Sequence, residues 1–204
     1  MKTKAINGNL EYITRHVLTP DECKVLLHLA AANNRLEVVE YLCGLFTNGD
    51  WFAALKHAAH HGHLPIVRYL CEELPAARGV DPGGDINVAL VTAAEKGHLA
   101  LVKYLCGLPA ARGVDPSIRD SEPLHFAACN GHLPVVEYLC GLPKGRGVDP
   151  AANDNAPLKD AAANGHLAVV QYLCGLPKGR GVDPAANDRD RKSTRLNSSH
   201  QIIS

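Results

Sequence analysis

The chain has 204 residues, with 21 Lys plus Arg against 21 Asp plus Glu and 46% hydrophobic residues. That balance gives no electrostatic reason to expect a nucleic acid or an anionic membrane as partner, and no apolar run reaches the length a membrane helix needs. Met1 to Asn9 carry charges with no apolar stretch behind them, so they do not read as a secretory signal.

Residues 1–20 read as a degenerate half of a repeating unit, because Asn7-Gly8-Asn9-Leu10-Glu11-Tyr12-Ile13 parallels Asn33-Asn34-Arg35-Leu36-Glu37-Val38-Val39. Pro20 and Asp21 then mark a turn and a helix start. A first unit runs from about Asp21 to Asp50, with Asn34-Arg35 where later units have Gly-His; Asn visits the left-handed region more readily than most residues. Its connection, Phe46 to Asp50, is short, and Trp51 is expected to pack over this irregular join.

Four further copies follow, at Ala58–Cys71, Ala93–Cys106, Ala127–Cys140 and Ala161–Cys174. A fixed period of this size means one supersecondary unit stacked on itself. In each copy a Leu (Leu55, Leu90, Leu124, Leu158) precedes Ala-Ala by three and four residues, which places all three on one helical face. Gly62, Gly97, Gly131 and Gly165 fit a left-handed helix end. A second helix starts at once, with Pro65 and Pro134 in its first turn, where a missing N–H costs little. Gly107, Gly141 and Gly175, each followed two residues later by Pro, stop it. Two helices joined this closely must be antiparallel. A loop carrying Arg-Gly-Val-Asp-Pro closes each unit, at 78–82, 112–116, 146–150 and 180–184. Its Val is expected to pin the loop, and its Arg and Asp to balance each other on a solvated surface.

Five of the seven cysteines (Cys43, Cys71, Cys106, Cys140, Cys174) occupy one repeat position. Equivalent positions in stacked helices lie roughly 8–10 Å apart, beyond disulfide reach, and the close-spaced pairs of zinc sites are missing. They read as small buried apolar residues. Free thiols imply a reducing compartment, and the localisation expected is cytoplasmic.

Gly141 to Asp154 is identical to Gly175 to Asp188, and the match fails at Arg189. The tail from 189 to 204 resembles the translation of a sequencing adapter and is not expected to belong to the repeat fold. On that reading any effector domain lies beyond residue 189. A stack also needs polar caps, so the Leu158, Ala162 and Val169 side of the fifth unit is expected to be exposed.

Glu122-Pro123-Leu124-His125-Phe126-Ala127-Ala128-Cys129-Asn130-Gly131-His132-Leu133-Pro134-Val135-Val136-Glu137-Tyr138-Leu139 resembles the ankyrin repeat, Thr-Pro-Leu-His-x-Ala-Ala then Gly-His-x-x-Val-Val-x-x-Leu. The resemblance covers about 21–188, some five units. It departs at Glu122, Ala156 and Val88, which replace the Thr, and at Lys56, Val91 and Lys159, which replace the first-helix His. It implies an all-α helix-turn-helix solenoid with hairpin fingers, which binds a protein through the first helices and loop tips. Carried over by position, the presenting residues are His57, His60 and His61; Thr92, Glu95 and Lys96; Phe126, Cys129 and Asn130; Asp160, Ala163 and Asn164. Gly83-Gly84, Ser117-Ile118-Arg119 and Ala151-Ala152-Asn153 form the loop tips. The function expected is that of a non-enzymatic, monomeric scaffold for a protein partner, with no nucleic acid, no membrane and no cofactor. The alternative is a targeting module of a longer enzyme or degradation adaptor.

His57 and His61, i and i+4, could share a zinc ion, but coordination needs three or four ligands and none completes the set locally. His125 and Cys129 could touch on one helix, yet a pair without a pocket or oxyanion donors is not a catalytic site. His63, His98, His132 and His166 recur at one position and read as framework.

Overall fold

The computed structural model describes residues 19–45, 51–73, 83–109, 112–146, 148–177 and 182. The parallel at 7–13, the join at 46–50 and the tail from Arg189 lie outside them. The chain divides into two compact units, Met1–Pro116 and Ser117–Ser204.

The first unit contains α1 (Pro20–Ala32), α2 (Leu36–Leu45), α3 (Trp51–His60), α4 (Leu64–Arg68, running into a π turn at Tyr69–Glu73), α5 (Gly83–Glu95) and α6 (Leu99–Gly107). The second contains α7 (Ile118–Cys129), α8 (Leu133–Gly141), a 3-10 turn (Lys144–Arg146), α9 (Ala152–Ala163) and α10 (Leu167–Cys174). Among the described residues there is no strand, and the fold is the all-α repeat that the sequence implies. In the first unit α1, α3 and α5 form one row, each packed on its own second helix; in the second, α7 and α9 do the same.

α1 starts where Thr19 and Glu22 cap each other: the Glu22 N–H donates to Thr19 Oγ1 at 3.3 Å, and the Thr19 N–H to Glu22 Oε2 at 3.0 Å. This reciprocal pair satisfies two donors that a helix start leaves unpaired. The repeated Leu and Ala-Ala form the core of each row. Leu55, Leu90 and Leu124 are buried, as are Ala58, Ala59, Ala93, Ala94, Ala127 and Ala128. Burying a Leu side chain fully contributes about 1.5–3 kcal/mol, and the small Ala pair lets the rows approach closely. Trp51 opens α3, half-buried.

The turn between paired helices follows one pattern. The His63 N–H donates to the Ala58 carbonyl at 2.9 Å and the Gly62 N–H to the Ala59 carbonyl at 3.2 Å, so the last carbonyls of α3 are satisfied. Gly62, Gly97, Gly131 and Gly165 have φ of 73, 76, 75 and 77°, and Asn34 substitutes at 56°. The recurring His is a rung between successive units. The ring N–H at Nε2 of His63 donates to the Ala32 carbonyl at 2.9 Å, that of His98 to the His60 carbonyl at 2.9 Å, and that of His166 to the Cys129 carbonyl at 3.0 Å. A carbonyl only accepts, so these contacts fix the Nε2–H form of each ring.

The loops depart from expectation. Val114, Val148 and Val182 are half-buried, as an anchor should be. Arg112, however, does not balance Asp115 on the surface: its Nη1 donates to the Cys71 carbonyl at 2.8 Å. The hairpin fingers implied by the resemblance do not occur among the described residues. Instead, the Asp115 N–H is taken by Asn87 Oδ1 at 2.8 Å and the Asp149 N–H by Ser121 Oγ at 2.9 Å. Pro116 and Pro150 then have no N–H to offer a strand ladder. Before α7 and α9 become right-handed, Arg119-Asp120-Ser121 and Asn153-Asp154-Asn155 each make a left-handed turn, with φ between 49 and 65°. Pro123 and Pro157 follow at the start of the regular helix, where Pro belongs.

Cys43, Cys71, Cys106 and Cys140 are buried, and burial pushes the Cys71 thiol up to about 12. Cys174 breaks the series by being exposed. The expected exposed side of the fifth unit also needs correction. Ala162 is exposed, but Leu158 and Val169 are buried, because α9 packs on α7 and α10 packs on both α8 and α9. Among the described residues of this unit, the large apolar side chain left outside is Leu167, at 66% exposure.

Candidate functional site

The residues that vary between copies lie at the C-terminal ends of the first helices and in the turns that follow. In the first unit His57, His60, His61 and Lys96 are exposed and Glu95 is half-buried. Thr92 is the exception to the expected presenting set. It is 6% exposed, and its hydroxyl donates to the Val88 carbonyl at 2.8 Å, so it belongs to the packed body of α5. In the second unit Asn130, Ala163 and Asn164 are exposed, while Phe126, Cys129 and Asp160 are half-buried.

Among the loop tips, Arg119 and Asn153 are exposed and Ser117, Ile118 and Ala151 half-buried, but Ala152 is buried. The left-handed turns hold these tips. The Ser121 N–H donates to the Ser117 carbonyl and the Asn155 N–H to the Ala151 carbonyl, each at 2.9 Å.

Imidazoles dominate the first unit's face. The His60 and His61 ring centroids are 4.9 Å apart, those of His61 and His63 5.9 Å, and His57 lies 5.5 Å from His28 of α1. Partial burial, Lys96 and His61 hold the His60 ring below the ordinary histidine range, against a smaller opposing pull from Glu95. Lys96 and Glu95 pair at 2.8 Å. Among the described residues, no three His, Cys, Asp or Glu side chains are arranged to hold a metal ion.

The second unit's face is a hydrogen-bonded network. His125 Nε2 meets Asp160 Oδ2 at 2.5 Å, linking α7 to α9, and Phe126 stacks on His125 at 5.5 Å between centroids. Asn164 Nδ2 donates to the Cys129 carbonyl at 3.0 Å and reaches its Sγ at 3.2 Å. Asn130 Nδ2 donates to the Phe126 carbonyl at 2.8 Å. His125 is therefore engaged by a carboxylate of the next repeat, and Cys129 by an amide.

Two participants were not among the expected set. His125 organises Asp160 and Phe126, and His28 joins the imidazole cluster. Leu27-His28-Leu29-Ala30-Ala31 has the same Leu-His-x-Ala-Ala spacing as Leu124 to Ala128, which would have placed His28.

With this geometry in place, comparison with protein families gives a match to the family model described as ankyrin repeats (three copies), over residues 4–83, 27–120 and 90–188. Comparison with curated proteins returns no match. Among the described residues no helix is long and apolar enough to cross a membrane.

Proposed function

Because the chain belongs to the ankyrin repeat family, whose members generally act as protein–protein interaction modules, we propose that it is a non-enzymatic scaffold that seats one protein partner on its first-helix ends and loop tips. The observation that carries this reading is the separation of roles along each repeat. Leu, the rung His and every Ala-Ala except Ala162 are consumed by packing, whereas His57, His60, His61, Lys96, Asn130, Ala163 and Asn164 are exposed and, apart from the Asn shared by positions 130 and 164, differ from copy to copy. A framework held constant beneath variable side chains fits recognition.

Phe126 is the natural anchor of the second unit's face. It is an aromatic ring stacked on a fixed neighbour, and it loses little freedom when covered. Non-enzymatic action is in keeping with His125 being bonded to Asp160 and Cys129 to Asn164 rather than to each other as a nucleophile and its base. Seven free cysteines support a reducing compartment such as the cytoplasm. The scaffold works as a monomer on this reading.

Site-specific photocross-linking tests it. A photoreactive residue at position 61 or 126 should capture the same protein in a native extract, and one at Glu137, exposed on α8, should not. Equal capture at Glu137 would show that the first-helix ends have no special role.

A further inference from the structure

We propose that the histidine-rich end of the first unit is a pH-gated docking surface for an acidic protein segment, engaging it as pH falls through the histidine range and releasing it near neutrality. The proposal rests on the reading that this face meets a protein partner, and it adds the partner's chemistry and the control of binding.

Three exposed imidazoles, His57, His60 and His61, come from one helix end and its turn, and half-buried His28 and His63 flank them. His61 lies 4.9 Å from His60 and 5.9 Å from His63, and His57 lies 5.5 Å from His28, so protonating several of these rings on one helix end and its turn creates a positive patch. Such a patch is self-repelling until carboxylates arrive, so binding an acidic segment and taking up protons reinforce each other.

The charged groups around the cluster do not cancel it. α3 itself adds exposed Lys56. On α1, Asp21 pairs with Lys24 at 3.9 Å, and Glu22 is held by Thr19. On α4, Arg68 lies over the Tyr104 ring, and in the π turn that follows Glu72 accepts from the Tyr104 hydroxyl, with Glu73 exposed beyond it. From α5 and its turn come Glu95, already paired with Lys96, and His98, whose ring is bonded to the His60 carbonyl. Glu95 is the carboxylate that acts on His60, and its effect is smaller than those of partial burial, Lys96 and His61, which keep that ring neutral near pH 7.

An acidic protein fits better than a nucleic acid. With 21 basic and 21 acidic residues, the chain lacks the standing positive charge that phosphate-tracking surfaces use at neutral pH.

The test uses the full chain and a fluorescein-labelled octa-aspartate peptide, whose carboxylates stay ionised well below neutrality. Anisotropy titrations are run near pH 5.5 and near pH 7.5 at about 50 mM salt, with helix content followed by circular dichroism. Binding should be roughly tenfold tighter at the lower pH, the order expected from three exposed ion pairs. Replacing His57, His60 and His61 together by Gln should abolish the pH dependence. Replacing them together by Lys should give the same tight binding at both pH values, which a merely structural role would not produce.

Equal affinity of the parent chain at the two pH values overturns the proposal. So does unaltered binding by the Gln variant, equal binding of an octa-asparagine control, or tighter binding of an oligothymidylate of the same length. Capture of a protein from position 61 without peptide binding at low pH overturns this proposal alone; loss of both overturns the docking face itself.

Discussion

Replacing Gly131 by Ala separates the two reasons for a glycine at the turn between paired helices. Gly131 has φ of 75°, and a Cβ there would lie 2.5 Å from Nδ1 and 2.8 Å from Cε1 and Cγ of His166. The left-handed backbone alone costs an L residue about 1–2 kcal/mol. Displacing the ring also weakens its hydrogen bond to the Cys129 carbonyl, 3.0 Å long, worth about 0.5–1.5 kcal/mol. Gly131→Ala should therefore destabilise the chain by about 2–3 kcal/mol.

Gly165 is the internal control. Its φ is 77°, but nothing lies within 4 Å of where its Cβ would be, so Gly165→Ala should cost only the backbone share, about 1–2 kcal/mol. A second control removes the ring. In a His166→Ala background, Gly131→Ala should fall to the Gly165→Ala value, a coupling of about 1 kcal/mol. Asn164 Nδ2 still donates to the Cys129 carbonyl there, so that acceptor is not left bare. Urea unfolding followed by far-UV circular dichroism measures all four variants, with midpoints compared at a common slope. Equal losses for Gly131→Ala and Gly165→Ala, or no coupling with His166, would refute the close-approach argument.

Three further outcomes follow from particular contacts. His60 is held below the ordinary histidine value of 6.5 by partial burial, Lys96 and His61, so the unfolded chain takes up its proton first and stability falls as pH drops through that value. The urea midpoint of the parent should therefore drop more between neutral and mildly acid pH than that of His60→Gln, and equal drops would discount the shift. Asn87 joins two loop groups, donating to the Gly113 carbonyl at 2.9 Å and accepting from the Asp115 N–H at 2.8 Å. Ser121 accepts from the Asp149 N–H at 2.9 Å. Asn87→Ala should cost about 2 kcal/mol and Ser121→Ala about 1 kcal/mol in urea unfolding; the reverse order would show that these bonds do not hold the loops. Finally, Cys174 is exposed and Cys129 half-buried, whereas Cys43, Cys71, Cys106 and Cys140 are buried. A thiol reagent followed with mass spectrometry should label Cys174 first and the five buried thiols, these four and Cys23, only as the chain opens, and early labelling of Cys71 would contradict its burial.

The amino-acid sequence by itself determined the repeat, the antiparallel helix pairs and most of the core. These follow from local rules. Leu and Ala-Ala at i, i+3 and i+4 define a face, Gly in the left-handed region ends a helix, and Pro two residues past a Gly prevents its continuation. All are readable within one unit and then multiplied by the period. The same rules sorted framework from variable positions, and so gave most of the outward residues of the candidate surface.

What only the tertiary structure decided depends on contacts between units some 26–41 residues apart in the chain. Arg112 looked like half of a surface charge pair and instead reaches the Cys71 carbonyl. Asn87 and Ser121, which no local rule singles out, accept from the Asp115 and Asp149 N–H groups of the following loops. Thr92 shares a repeat position with exposed His57 and half-buried Phe126, but its short side chain turns back to the Val88 carbonyl and leaves nothing to present. Leu158 and Val169 were expected outside because their unit is the last of the array, yet they are buried, and Leu167 is the large apolar residue of that unit that remains uncovered. Periodicity fixes which face of a helix is apolar. It does not say which neighbour a polar side chain will reach, because that partner is supplied by the next turn of the stack.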